Sequence, residues 1–225
     1  MKEMSIIFTQ LHEEIKYTAK QIGLNLISIP WLMAVIYLFT SWTPLSSAAI
    51  VGTSSFSIAV IAALFFGGSI VREKFLGIHE MLLSLPLDPV RLMLTRTLAS
   101  FVIGITGIAL GSAVGWFITL HVSTPIPLTT VLFGILISAP ALFSFTFLVI
   151  LITLLFQSRY LDIAKFIIFF TAYFAPAYIP KYFGVGLSLE TALVLSLLLS
   201  IGALAVSFSI IRPLGEKLAE RIVLV

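Results

Sequence analysis

Few side chains in this 225-residue chain could do acid–base, metal or nucleophilic chemistry, and their positions narrow the options. There is no cysteine, so no thiolate nucleophile, disulfide framework or Cys-based metal site can form. The three histidines, His12, His79 and His121, lie outside the long apolar runs. The phosphate-cradling pattern G-x-x-x-x-G-K-[ST] is missing and Gly-Lys occurs nowhere, so the chain carries no P-loop nucleotide site. Asp162 and Lys165 come nearest to a chemical pair. They stand three residues apart at the start of an apolar run, where they can pair with each other, as Arg159 can with Asp162. Ionisable groups at membrane depth are costly and usually functional. Two readings therefore stand for Asp162 and Lys165: an ion cluster satisfied at the interface, or a gate or proton site. No catalytic, metal or cofactor site is expected. The other notable gathering of charge is residues 72–96, REKFLGIHEMLLSLPLDPVRLMLTR, with four of the 13 Lys/Arg and three of the 10 Asp/Glu.

The elements that must position these groups follow from composition. The chain is 60% hydrophobic and 10% charged, against about 25% charged in a soluble domain. A bilayer crossing takes about 20 mostly apolar residues, and six segments qualify: roughly 22–41, 48–71, 97–120, 128–156, 160–179 and 189–211. Backbone groups in lipid must be satisfied within the segment, so these are expected to be helices. The alternation of a barrel strand is absent. The expected fold class is an all-α integral membrane protein, one transmembrane domain over residues 1–225. The high pI of about 9.3 reflects basic loops on one side of the membrane and is no sign of nucleic-acid binding. The first 20 residues are polar, with Glu13 and Glu14 where a signal peptide needs an apolar core, so no cleavable signal peptide is expected.

Residues 3–21 read as an amphipathic helix in the inner interface. Met4, Ile7, Phe8, Leu11, Ile15 and Ile22 follow helical spacing, opposite Glu13, Glu14, Lys16 and Lys20. The tail after Pro213 has a similar pattern in Leu214, Leu218 and Ile222. Within the insert, Asp88-Pro89 is an N-cap followed by proline at the first helical position, with Leu87 and Leu92 placed for a hydrophobic staple. The third spanning helix should thus begin near Pro89. Before it, residues 73–85 can form a short helix with Phe75, Ile78, Met81, Leu82 and Leu85 mainly on one face, ended by Pro86. Such an insert is either a projecting knob for a soluble partner or an amphipathic hairpin on the lipid surface.

Gly107, Gly111 and Gly115 recur every four residues in the third span, and Ser55, Ala59, Ala63 and Gly67 make a comparable small face in the second. Small residues at this spacing let helices approach closely, either within one subunit or between subunits. Pro30, Pro140 and Pro176 interrupt the first, fourth and fifth spans and favour kinks there. Phe166, Phe170 and Tyr173 belong to an aromatic-rich fifth span and either line a pathway or face lipid. Glu190, at the start of the sixth span, is expected to be solvated or to neighbour an N-cap.

The stretch REKFLGIHEMLLSLPLDPVRLMLTRTLAS resembles the segment after the second span of type-2 ABC transporter permeases, where a Glu, a Gly, a second Glu, a Leu run, a Pro and a basic residue occur in order. Glu73, Gly77, Glu80, Leu82, Leu83, Pro86 and Arg96 fit that pattern. Two positions depart from it: Arg96 stands where a Lys is usual, and Ile78 where a Thr or Ser often follows the Gly. The layout of an interfacial helix and six spans is similar too, and the haem-exporter B subunits look like one possible branch. The resemblance implies a permease subunit working as a homo- or heterodimer and energised by a separate ATPase, with export more expected than import. It also implies that Glu73, Phe75, Gly77, Glu80, Met81, Leu82 and Pro86 form a coupling helix docked on the ATPase. The expected partners are that ATPase in trans, a second permease subunit and the lipid bilayer, with no nucleic acid and no cofactor. The alternatives are a secondary carrier or small channel working without an ATPase, and a membrane-embedded enzyme. A carrier usually shows ionisable or discontinuous helices at mid-membrane, which this sequence lacks.

Orientation follows from the basic residues. Twelve of the 13 Lys/Arg fall on one side of a six-span arrangement and only Lys181 on the other. Both termini and the 72–96 insert are therefore expected in the cytoplasm of a cell with the chain in its inner membrane. A His79→Cys variant of this cysteine-free chain should resist an impermeant thiol reagent applied to intact cells, and labelling from outside would invert the topology.

Overall fold

Gly23 separates the first two helices. The computed structural model describes residues 2–23, 25–42, 47–75, 89–121, 125–155, 163–170 and 188–214. Helix α1 (Lys2–Ile22) ends at Gly23, which takes a left-handed φ of +54° and donates its N–H to Ala19 O at 3.2 Å. Only glycine adopts that conformation without strain, so the amphipathic helix stops here and does not run into the apolar segment. Then come α2 (Asn25–Trp42), α3 (Ser47–Phe75), α4 (Pro89–Thr119), α5 (Leu128–Leu155) and α6 (Leu189–Leu214). Residues 163–170 are helical as well, and no strand occurs among the described residues.

Length and apolar composition suit four helices to cross a membrane: α3 over Ser47–Gly68, α4 over Val90–Thr119, α5 over Leu128–Leu155 and α6 over Leu189–Pro213. The apolar part of α2, Leu26–Trp42, is shorter. Of the expected span 160–179 the described part is residues 163–170. Helix α3 continues through Arg72 and Glu73 to Phe75, past the expected boundary at residue 71. The remainder of the expected short helix 73–85 lies outside the described residues, as do Pro176 and the tail after Leu214. Helix α4 starts at Pro89 as its sequence predicts. Ser188 caps α6: its Oγ accepts from Thr191 N–H at 3.1 Å, with Glu190 exposed in the first turn.

Helix α5 is the centre of the bundle. Its residues 144–151 are buried without a break, which requires neighbours all round. It packs along α3, α4 and α6. Edge-to-face rings join α5 to α3 (Phe145 and Phe56, centroids 5.8 Å apart) and to α4 (Phe143 and Phe101, 5.9 Å). Helices α2 and α5 continue through Pro30 and Pro140. Helix α2 lies along α4, and α1 packs on α4 as well.

In lipid, burying apolar area between helices gains little over burying it in acyl chains, so association depends on close packing and polar contacts. The glycines of α4 meet that need within one chain. Gly111 abuts the Pro30 backbone of α2, and a Cβ there would lie 2.6 Å from Pro30 Cα. At Gly115 a Cβ would come 2.9 Å from Tyr37 Cβ and 3.0 Å from Ala34 Cα. Gly107 is looser, with Ile29 Cγ2 at 3.4 Å and Pro30 Cδ at 3.6 Å. On the small face of α3, Ser55, Ala59 and Ala63 are fully buried, and Gly67 meets Val149 of α5.

This geometry ranks substitutions. Gly111→Ala drives a carbon into backbone that cannot rotate away, and overpacking of this kind costs about 1–3 kcal/mol. Gly107→Ala adds an ordinary van der Waals contact. In thermal unfolding of the purified chain, Gly111→Ala should lower the midpoint and the yield of monodisperse protein while Gly107→Ala stays near wild type. Equal behaviour of the two would show that α2 and α4 do not meet at this seam.

Candidate functional site: the α1 end of the bundle

The N-terminal part of α4 is anchored on two sides. Met93 packs into an apolar cluster with Phe147, Ile150, Leu151 and Leu154 of α5, edged by Ile210 and Ile211 of α6. On the side of α4 that carries Met93, Thr97 and Ser100 lies Arg96, only 5% exposed. A buried guanidinium needs a compensating charge, and Glu14 of α1 supplies it, with Oε1 3.4 Å from Arg96 Nε. The contact is at ion-pair distance without the alignment of a hydrogen bond at Nε.

Glu14 corrects a sequence expectation. Its spacing in the sequence groups it with Glu13, Lys16 and Lys20 on the polar face. In the structure Leu11, Glu14, Ile15 and Thr18 are partly or fully buried at helical spacing, so Glu14 belongs to the packed face of α1. Glu13 and Lys16 stay in water and pair with each other at 3.2 Å, with both side chains more than half exposed. Arg91, Lys20, His12 and Arg212 are exposed on the same end of the bundle. No sequence signal marks Glu14 as the partner of Arg96. The helical period that separates the faces of α1 tolerates one acidic residue at their border, and only the crossing with α4 decides its side.

The residues of the expected coupling element divide unevenly. Glu73 and Phe75 lie in the last turn of α3. Gly77, Glu80, Met81, Leu82 and Pro86 lie outside the described residues, between the end of α3 and the start of α4. Of the expected pathway residues, Asp162 and Tyr173 lie outside the described residues. Phe166 and Phe170 are exposed and in ring contact, with centroids 4.5 Å apart and planes tilted by 43°, and Lys165 is half-buried. Ile168, on the opposite side, joins the core. No three His, Asp or Glu side chains come together as metal ligands among the described residues. No protein-family model matches the chain, and no curated protein or solved structure matches it either.

Glu13 and Glu14 of α1 therefore carry different weights. An exposed pair such as Glu13–Lys16 is worth about 0–1 kcal/mol, while removing one partner of a buried pair costs about 3–5 kcal/mol because the other charge is stranded. Glu14→Ala should depress the unfolding midpoint strongly and Glu13→Ala hardly at all. A Glu14→Ala protein as stable as wild type would mean that Arg96 does not depend on this carboxylate.

Proposed function

We propose that this chain is the membrane-spanning permease subunit of an ATP-driven transporter of the type-2 ABC class, an exporter, energised by a separate ATPase subunit. The observation that carries the reading is where residues 76–88 are hung. Helix α3 ends at Phe75 and α4 begins at Pro89. Both ends belong to the part of the bundle where α1 packs on α4 and where Arg91, Lys16, Lys20 and Arg212 are exposed. Two long apolar helix ends on that charged end support a reading in which the insert between them meets a soluble partner. Its residues are those of the resemblance described above, with Phe75, Met81 and Leu82 as apolar anchors and Glu73 and Glu80 at the rim. Gly77 then serves close approach to the partner, and Pro86 ends the knob.

The same proposal takes α2 and the helix containing residues 163–170 as the first and fifth of six spans, with both termini cytoplasmic. The chain pairs with a second permease subunit, and the exposed Phe166 and Phe170 face either the lipid or the transport pathway. The ATPase brings the nucleotide chemistry, since this chain has no P-loop.

Truncating a buried anchor at an interface costs on the order of 2 kcal/mol or more, and an exposed rim charge less. Met81→Ala and Leu82→Ala should therefore weaken co-purification with the ATPase more than Glu80→Ala does. Gly77→Leu should abolish cargo-stimulated ATP hydrolysis while the membrane domain stays folded. If all four variants bind the ATPase and support hydrolysis at wild-type level, the insert is not the coupling element and a carrier working without an ATPase becomes the better account.

A further inference from the structure

The polar interior of the bundle holds a second feature, independent of how transport is energised. Several buried hydroxyls fold back on their own helix: Thr97 Oγ1 donates to Met93 O at 2.8 Å, Ser144 Oγ to Pro140 O at 2.7 Å and Ser207 Oγ to Ala203 O at 2.8 Å. Ser138 Oγ of α5 lies 2.8 Å from its own Gly134 O and 3.0 Å from Ser55 O of α3. Among the buried hydroxyls without a partner, which include Thr146, Thr153 and Ser200, three lie close together. Tyr37 of α2, Ser55 of α3 and Ser112 of α4 are each fully buried, and none of their side-chain oxygens has a hydrogen-bond partner.

These three oxygens converge. Tyr37 lays its ring across Gly115 of α4, and its hydroxyl reaches the backbone of α5. The position that a Cβ of Gly134 would take is 2.8 Å from Tyr37 Oη and 3.0 Å from Ser55 Oγ. The two oxygens thus lie near one point beside the Gly134 backbone. Ser112 Oγ faces the Tyr37 hydroxyl from α4 without hydrogen-bond alignment. Either serine could rotate to its own carbonyl as Ser144 and Ser207 do, but a phenol is too long to reach its own backbone. A buried donor left unmade costs more than a net hydrogen bond gains, and polar groups away from bulk water satisfy themselves through a bound molecule when two to four of them converge.

We propose that Tyr37, Ser55 and Ser112 bind one water molecule, which ties α2, α3 and α4 together beside the Gly134 backbone of α5. The glycines are part of this site, because a side chain at position 115 or 134 would displace the Tyr37 ring or its hydroxyl. The site is small, neutral and lined by hydroxyls, which suits water and not an ion.

The test uses the full chain in lipid nanodiscs. Tyr37→Phe keeps the ring and removes only the hydroxyl, and Ser55→Ala and Ser112→Ala are equally conservative. With a shared water, each single variant lowers the unfolding midpoint, and the Tyr37→Phe/Ser55→Ala double variant loses less than the two singles together. Unchanged or raised midpoints would show a dry junction and overturn the proposal. So would coupling confined to Tyr37 and Ser112 with Ser55 silent, the signature of a direct hydrogen bond. Independently of folding yield, a high-resolution density map should hold a peak within hydrogen-bond distance of Tyr37 Oη, and a map clear enough to show ordered waters but empty there overturns it.

Discussion

The approach of α4 to α2 at Gly111 is the constraint on which the rest of the bundle depends. Apolar side chains gain almost nothing by leaving lipid for one another, so a membrane bundle cannot be held by area alone. It is held where backbones come close enough for dense van der Waals contact. Gly111 and Gly115 give α4 that contact with Pro30, Ala34 and Tyr37, and Gly104 brings it against Leu142 of α5 and Phe66 of α3. Once α4 is fixed along its length, the direction in which its first turns leave the bundle is fixed too.

That direction matters because of what α4 carries at its start. The buried Arg96 draws α1 onto α4 through Glu14, and Met93 binds the same turn to α5 and α6. The segment leading into Pro89 is therefore attached to a helix end held by three neighbours. In the proposed permease, a push on residues 76–88 would travel into α4 as a rigid element and reach α2 through the glycine seam.

How much of this was legible in the sequence differs from element to element. Long apolar runs marked α3 to α6 well, because a bilayer-length run has few alternative folds. The Asp88-Pro89 signal placed the start of α4 correctly, since proline at a first helical position is a local effect. The small faces of α3 and α4 were visible as spacing, yet spacing cannot say which helix fills them, and the role of Pro30 as the contact of Gly111 is a tertiary fact. The end of α1 at Gly23 set α2 a few residues later than hydropathy did, because one left-handed glycine outweighs a continuous apolar trend. Glu14 was assigned to water because a carboxylate on an amphipathic helix usually belongs there, and its partner lies in a distant helix. Nothing in the sequence marks Tyr37, because one phenol in an apolar span is ordinary and its approach to Ser55 and Ser112 is a tertiary fact.

The central claim is that residues 76–88 meet an ATPase. The most direct measurement places a photo-reactive amino acid at position 82 in living cells and identifies what it captures. The account predicts an adduct with a nucleotide-binding polypeptide, lost when the reactive group is moved to the far end of the bundle at position 121. Adducts with lipid alone, while the protein is folded and active, would contradict it.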